Sequence, residues 1–93
     1  MKIIKCLVEN IRDEMEDAEK YAKLAMEHKD DYPDLSDTFI TLSEQEVNHA
    51  NLLHMHVERF IRDYRAKKGE PPAPMMAVYA SSSASDNRRN SNP

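Results

Sequence analysis

The stretch SEQEVNHANLL, residues 43–53, places a carboxylate and an imidazole within a helical pattern of apolar residues. Glu46 and His49 lie three residues apart, and Ala50 and Leu53 continue the apolar spacing of the same helix face. Charged groups avoid such a face unless they are paired or bind a metal. The stretch therefore predicts a packed helix that carries polar chemistry on its packed side.

The composition indicates one small helical domain. The chain has 93 residues, of which 40% are hydrophobic and 32% charged, with one Gly and no Trp, as is typical of long helices. Its 17 acidic and 13 basic residues give a net charge of −4, which argues against a nucleic-acid partner. No apolar run approaches the roughly 20 residues that span a bilayer, and the start turns polar too early for a secretory signal. We therefore expect a soluble cytoplasmic protein without membrane contact.

Two long antiparallel helices are predicted, over residues 3–29 and 35–67. In the first, apolar residues recur at steps of three and four: Ile4, Leu7, Ile11, Met15, Ala18, Ala22 and Ala25. In the second, the stripe consists of Phe39, Leu42, Ala50, Leu53, Val57, Phe60, Ile61 and Tyr64. We expect Asp34 to cap the second helix, with Asp37 completing a pair that resembles a capping box, and Gly69 to follow its end.

The chain divides into three segments by composition. Residues 1–69 form the predicted helical hairpin, residues 70–80 an apolar arm or the start of a third helix, and residues 81–93 a disordered tail with almost nothing to bury. A hairpin of this size has a small core, and small scaffolds without disulfides usually need a partner. We expect a homo-oligomer, either a dimer or a multiple of dimers.

Three polar side chains point towards the predicted core. At about 100° per residue, Glu14 falls within the first apolar stripe, Glu46 on the centre line of the second, and His49 at its edge. Carboxylate and imidazole groups in such positions are typical ligands of iron and manganese. Helix bundles with two metals use one Glu from each of two helices and Glu-x-x-His from each of the other two, so two copies would supply the full set.

The segments EMEDAEKYAKLA, residues 14–25, and FITLSEQEVNHANLL, residues 39–53, resemble the ferritin-like superfamily, and rubrerythrins above all. The matching positions are Glu14, Tyr21, Ala25, Glu46 and His49. The half-length chain is similar to encapsulated ferritins, in which two-helix protomers build a di-iron site across a dimer interface. The resemblance implies a four-helix bundle formed with a second chain.

The same resemblance implies the chemistry of the site. Glu46 would bridge or chelate the metals, His49 would supply a nitrogen ligand and Glu14 a further carboxylate. Tyr21 would hydrogen-bond a ligating carboxylate. The implied cofactor is a pair of iron ions, with Mn or Zn as alternatives, and the implied activity is ferroxidase or peroxide reduction.

A second hypothesis assigns the chain to another class of protein. In a metal-free helical oligomer that serves as an adaptor or scaffold, Glu46 and His49 would bond each other or polar groups of a neighbouring chain. The sequence leaves open whether the protein is an enzyme. It places His56 and Glu44 on the solvent side of the second helix, away from the predicted ligands.

Overall fold

Two helices form an antiparallel hairpin. The computed structural model describes residues 2–74 and 76–77, and these residues contain no β-strand. Helix α1 spans Lys2–His28 and helix α2 spans Pro33–Lys68, and the two pack against each other along their length. The predicted all-α hairpin is confirmed. Within the described part of the chain, neither helix combines the length and the apolar character needed to cross a membrane.

Helix α2 begins earlier than the sequence predicts. Pro33 occupies its first turn, and Tyr32 is the N-cap with φ −137° and ψ 70°, without a side-chain hydrogen bond to the helix end. Proline suits this position because it has no N–H to leave unpaired and its φ is already helical. The predicted cap at Asp34 and its pairing with Asp37 are therefore wrong, because both residues already lie inside the helix.

The end of α2 lies where the sequence predicts it. Gly69 has φ 85°, in the left-handed region that favours glycine, and its N–H donates to the Arg65 carbonyl at 3.2 Å. Residues 73–74 and 76–77 are again helical, and the side chain of Met76 packs against the core. The predicted tail, residues 81–93, and residues 78–80 of the predicted arm lie outside the described residues.

The two helices meet along a line of residues spaced seven apart on each. On α1 these are Ile4, Ile11, Ala18 and Ala25; on α2 they are Val57, Ala50, Ser43 and Ser36, and all except the half-buried Ser43 are buried. A seven-residue repeat keeps one side of a helix against its neighbour over many turns. The spacing therefore sets the register of the hairpin.

Serine hydroxyls bind the helices together near the connecting turn. The Ser36 hydroxyl donates to the Ala25 carbonyl at 2.6 Å, and the Ser43 hydroxyl donates to the Ala18 carbonyl at 2.7 Å. Both acceptor residues are alanines, which lets the backbones approach closely enough for these bonds. At the other end of the hairpin, the contact consists of larger apolar side chains: Ile4, Val8, Ile11, Val57 and Ile61.

Candidate metal centre

The apolar stripe of α2 is wider than α1 can cover. The contact line with α1 runs through Ser43 and Ala50, so Glu46 lies about 50° to one side of that line. The sequence instead predicts Glu46 on the centre line of the packed face. The prediction fails because serines do not count as apolar, although a serine hydroxyl bonded to a carbonyl is readily buried. Apolar residues beside the contact line, among them Leu42 and Leu53, remain half-buried on the Glu46 side.

The three predicted ligands come together on that side of the hairpin. One ligand atom each from Glu14, Glu46 and His49 lies within 4.8 Å of the others. The His49 Nδ1 atom is 3.3 Å from Oε2 of Glu14 and 3.8 Å from Oε2 of Glu46. The carboxylate side chains are 27% and 19% exposed, whereas that of His49 is 54% exposed. The cluster thus opens at the surface through its imidazole.

The local backbone explains this geometry. Glu46 and His49 are separated by one helical turn, so both side chains project from the same part of α2. Glu14 projects from α1 beside Ala18, whose carbonyl accepts the Ser43 hydroxyl. Since Ser43 lies one turn before Glu46, the hydrogen bond that sets the register also holds the two carboxylates opposite each other.

The carboxylate of Glu14 affects the protonation of Glu46. The pKa of the Glu46 carboxyl is raised above its usual value, mainly because it shares a hydrogen bond with Glu14, and further because of burial and the negative charge of Glu14. His49 acts in the opposite direction, and the charge of Asp17 adds a smaller increase. Negative charge is therefore crowded at the point where the three side chains converge.

These donors suit a divalent transition metal. Two carboxylates and an imidazole are ligands for iron, manganese or zinc, and a cation between them would neutralise the crowded charge. One chain offers two Glu and one His, half of the set that surrounds two metals in a four-helix bundle. The residues present thus fit such a centre, and the described part of one chain offers half of its ligands.

Tyr21 lies one heptad beyond Glu14, against Phe39, which lies one heptad before Glu46. The two rings stack with centroids 6.1 Å apart and an interplanar angle of 21°, and the Lys20 Nζ atom lies 4.9 Å from the Tyr21 centroid. This aromatic pair packs the hairpin on the same face as the cluster. Its predicted hydrogen bond to a ligating carboxylate stays a prediction.

Asp17 is a neighbour of the cluster that the sequence reasoning missed. It is half-buried, one turn beyond Glu14, and close enough to influence the pKa of Glu46. Its carboxylate pairs with Lys20 at 3.9 Å. The signal was present in the sequence, because Glu14 and Asp17 repeat on α1 the three-residue spacing of Glu46 and His49 on α2. His56, in contrast, is exposed on α2, on the solvent side as predicted.

Comparison with known proteins gives one positive result. A family model described as Rubrerythrin matches residues 5–82, a segment that includes most of α1, all of α2 and the three clustered side chains. The corresponding comparisons with curated proteins and with solved structures find no match.

Proposed function

The chain belongs to the rubrerythrin family of the ferritin-like superfamily, and from this premise we propose that it is a di-iron protein whose metal centre is shared by two copies. The two hairpins pack with their cluster faces together into a four-helix bundle. Glu14, Glu46 and His49 of each copy then complete the six-residue ligand set that such bundles use.

The observation that carries the proposal is that the cluster offers half of a di-metal ligand set and lies on a face of the hairpin whose apolar residues are only half-buried. Around the ligands, Leu42, Leu53 and Phe60 follow the spacing of Glu46 along α2, and all three stay half-buried in the single hairpin. A second hairpin on this face would bury them and enclose the carboxylates. The need for a larger core and the need for more ligands are thus met by the same partner.

Each ligand has a distinct part in the proposed centre. Glu46 would hold the metals with its carboxylate, as a bridging or chelating ligand, Glu14 would add a carboxylate from α1, and His49 would offer Nδ1, the nitrogen that faces the carboxylates. Because ligands bind in their deprotonated form, a metal would compete with a proton at Glu46, whose pKa is raised beside Glu14. Bound ferrous iron would supply one electron per ion to O2 or peroxide. We place this activity, ferroxidase or peroxide reduction, in the cytoplasm.

Anaerobic titration with ferrous iron tests the ligand set. Wild-type protein should bind about one iron per chain, two per dimer. Glu46→Gln and His49→Ala should lower the affinity at least tenfold, as loss of a ligand does. The matched changes Glu44→Gln and His56→Ala, on exposed positions of the same helix, should leave binding unchanged. Equal binding by all four variants would contradict the assignment.

Sedimentation with and without metal tests whether two copies share the centre. Metal should strengthen dimerisation of the wild type but not of Glu46→Gln, since binding and association are linked. Tight iron binding by a folded monomer would contradict the shared centre. An oligomer that binds no added metal would instead support the metal-free adaptor or scaffold.

A further inference from the structure

Four aromatic side chains follow one another from the cluster face to the connecting turn, in the order Tyr21, Phe39, His28 and Tyr32. The centroids of successive rings lie 6.1, 6.3 and 6.1 Å apart, within the range of direct aromatic contact. Tyr21 is half-buried, whereas Tyr32 is 59% exposed. These four residues, the ring series, thus connect the interior of the hairpin with its surface.

The ring series begins on the same face as the proposed metal centre. Tyr21 follows Glu14 on α1 and Phe39 precedes Glu46 on α2, each by one heptad, about 10 Å along the helix. The series then runs away from the cluster and ends at Tyr32, the N-cap of α2. Electrons pass more readily through contacting aromatic rings than through saturated side chains, because π electrons are delocalised. The series is therefore a route for electrons between the cluster face and solvent.

Peroxide reduction, part of the proposed function, requires two electrons. Both are available from a pair of ferrous ions, but only one from a centre that holds one ferrous and one ferric ion. The missing electron must then come from the protein, and oxidation of a ligand such as His49 would destroy the site. Tyrosine is the better source, since its phenol loses one electron and one proton to form a neutral, delocalised radical.

We propose that the ring series supplies this missing electron and moves the oxidising equivalent to the surface, an inference that rests on the proposed function. Tyr21 is oxidised first and is then restored by an electron from Tyr32, which passes through the rings of His28 and Phe39. Tyr32 releases its phenol proton to solvent. In the net step, hydrogen peroxide, a ferrous ion, a proton and Tyr32 become two waters, a ferric ion and the neutral Tyr32 radical. Iron and Tyr32 each lose one electron.

Tyr64 gives an internal comparison, because its distance from the ligands is similar to that of Tyr32. Tyr32 precedes Glu46 and Tyr64 follows His49, each by about 20 Å along α2. Tyr64 lies at the other end of the hairpin, where the Lys68 Nζ atom is 5.6 Å from its ring centroid. Distance from the centre alone predicts equal oxidation of the two tyrosines, whereas the ring series predicts oxidation of Tyr32.

Peptide mass spectrometry after peroxide treatment tests the proposal. Dimers loaded with one ferrous ion each receive one equivalent of hydrogen peroxide, and metal-free protein treated in the same way gives the background. Above that background, wild type should carry several-fold more oxidation at Tyr32 than at Tyr64, and Tyr32→Phe should shift the oxidation to Tyr21. Equal oxidation of Tyr32 and Tyr64 in wild type, or no gain at Tyr21 in the variant, overturns the proposal.

Interruption of the ring series separates transfer through the rings from direct attack by peroxide in solution. His28→Leu leaves Tyr32 at the surface, so oxidation of Tyr32 should be lost while the protein still binds iron. Phe39→Leu interrupts the series at a second point and should have the same effect. The matched control His56→Leu, on an exposed position of α2 outside the series, should keep wild-type oxidation of Tyr32.

Two results separate this inference from the function on which it rests. Wild-type oxidation of Tyr32 in both His28→Leu and Phe39→Leu, with iron bound, would show that the rings do not carry the electron. Failure of the wild type to bind iron would contradict the proposed function itself.

Discussion

Glu46 shows at the scale of one residue how the proposed function opposes stability. Its carboxyl is only 19% exposed and lies close enough to Glu14 to share a hydrogen bond. The hydrogen bond with Glu14 raises the pKa of Glu46 most, and burial and the negative charge of Glu14 raise it further, so the ionised form is disfavoured without a cation. Residues selected for binding often lower the stability of the unbound protein in this way.

Replacement of Glu46 by Gln should stabilise the metal-free protein at neutral pH. Since the folded-state pKa of Glu46 lies above its ordinary value of 4.5, the folded chain holds its proton more tightly, and stability from this group is lost as the pH rises through the folded pKa. Because the Gln side chain does not ionise, the Glu46→Gln variant does not lose stability from this group as the pH rises. Thermal melts of metal-free protein should show a higher Tm for the variant at pH 7, and the difference should shrink below pH 4.5, where the Glu46 carboxyl is protonated in the folded and the unfolded chain.

The control for this pH effect is Glu44→Gln, an exposed change two residues away on another face of α2, which should leave the pH dependence of the wild type intact. A lower Tm for Glu46→Gln than for wild type at pH 7 would mean that the carboxylate supports the hairpin. The interpretation of Glu46 as a metal ligand would then be wrong.

At the scale of the helix pair, register depends on a heptad of small and polar residues. Ser36 and Ser43 occupy positions where an apolar side chain would be expected, and each bonds a carbonyl of α1. These bonds join the helices at the turn end, where the acceptors Ala18 and Ala25 offer little apolar surface. They also place Glu14 opposite Glu46, so the element that sets the register also assembles the cluster.

Removal of the serine hydroxyls should loosen the hairpin. Ser36→Ala and Ser43→Ala should each lower the free energy of unfolding by about 1 kcal/mol, the usual net contribution of such a hydrogen bond. Thr38→Ala and Thr41→Ala are matched controls, because those exposed hydroxyls bond carbonyls of their own helix and their loss should change stability by less than about 0.5 kcal/mol. Urea unfolding of the four variants measures the difference; equal effects would contradict the assigned role.

At the scale of the whole molecule, the described part of the hairpin has a thin core. Its buried hydrophobic residues form a single line between two helices, and large apolar side chains such as Met26 and Leu52 remain exposed. A core of this size supplies little free energy against the conformational entropy of the chain. Folding and association should therefore be linked.

The Tm of the metal-free protein should rise with protein concentration. Association stabilises the folded state by mass action, so a melt at 100-fold higher concentration should shift upward by several degrees. Circular dichroism at about 1 and 100 μM measures the shift. A Tm independent of concentration, with folded monomers throughout, would show that one hairpin is stable alone and would contradict the linkage.

Features that depend on residues close together in the chain can be predicted from the sequence. Apolar spacing fixes where helices form, the Gly69 stop depends on one residue's conformational freedom, and the three-residue spacing of Glu46 and His49 places both on one side of a helix. The predicted cap at Asp34 is wrong because Pro33 lies in the first turn of α2. The preference of proline for the first helical position outweighs the capping preference of aspartate here.

The rotation of each helix about its own axis, in contrast, follows from the packing of the two helices against each other. The rotation depends on which residues of the other helix fill the contact. Here two serines of α2 bond carbonyls of α1, so the contact line lies to one side of the centre of the apolar stripe of α2. That shift moves Glu46 to one face and leaves Met26 and Ile40 open on the other. Periodicity measures the apolar character of one helix alone, whereas close approach of two backbones depends on side-chain size and hydrogen bonds across the pair.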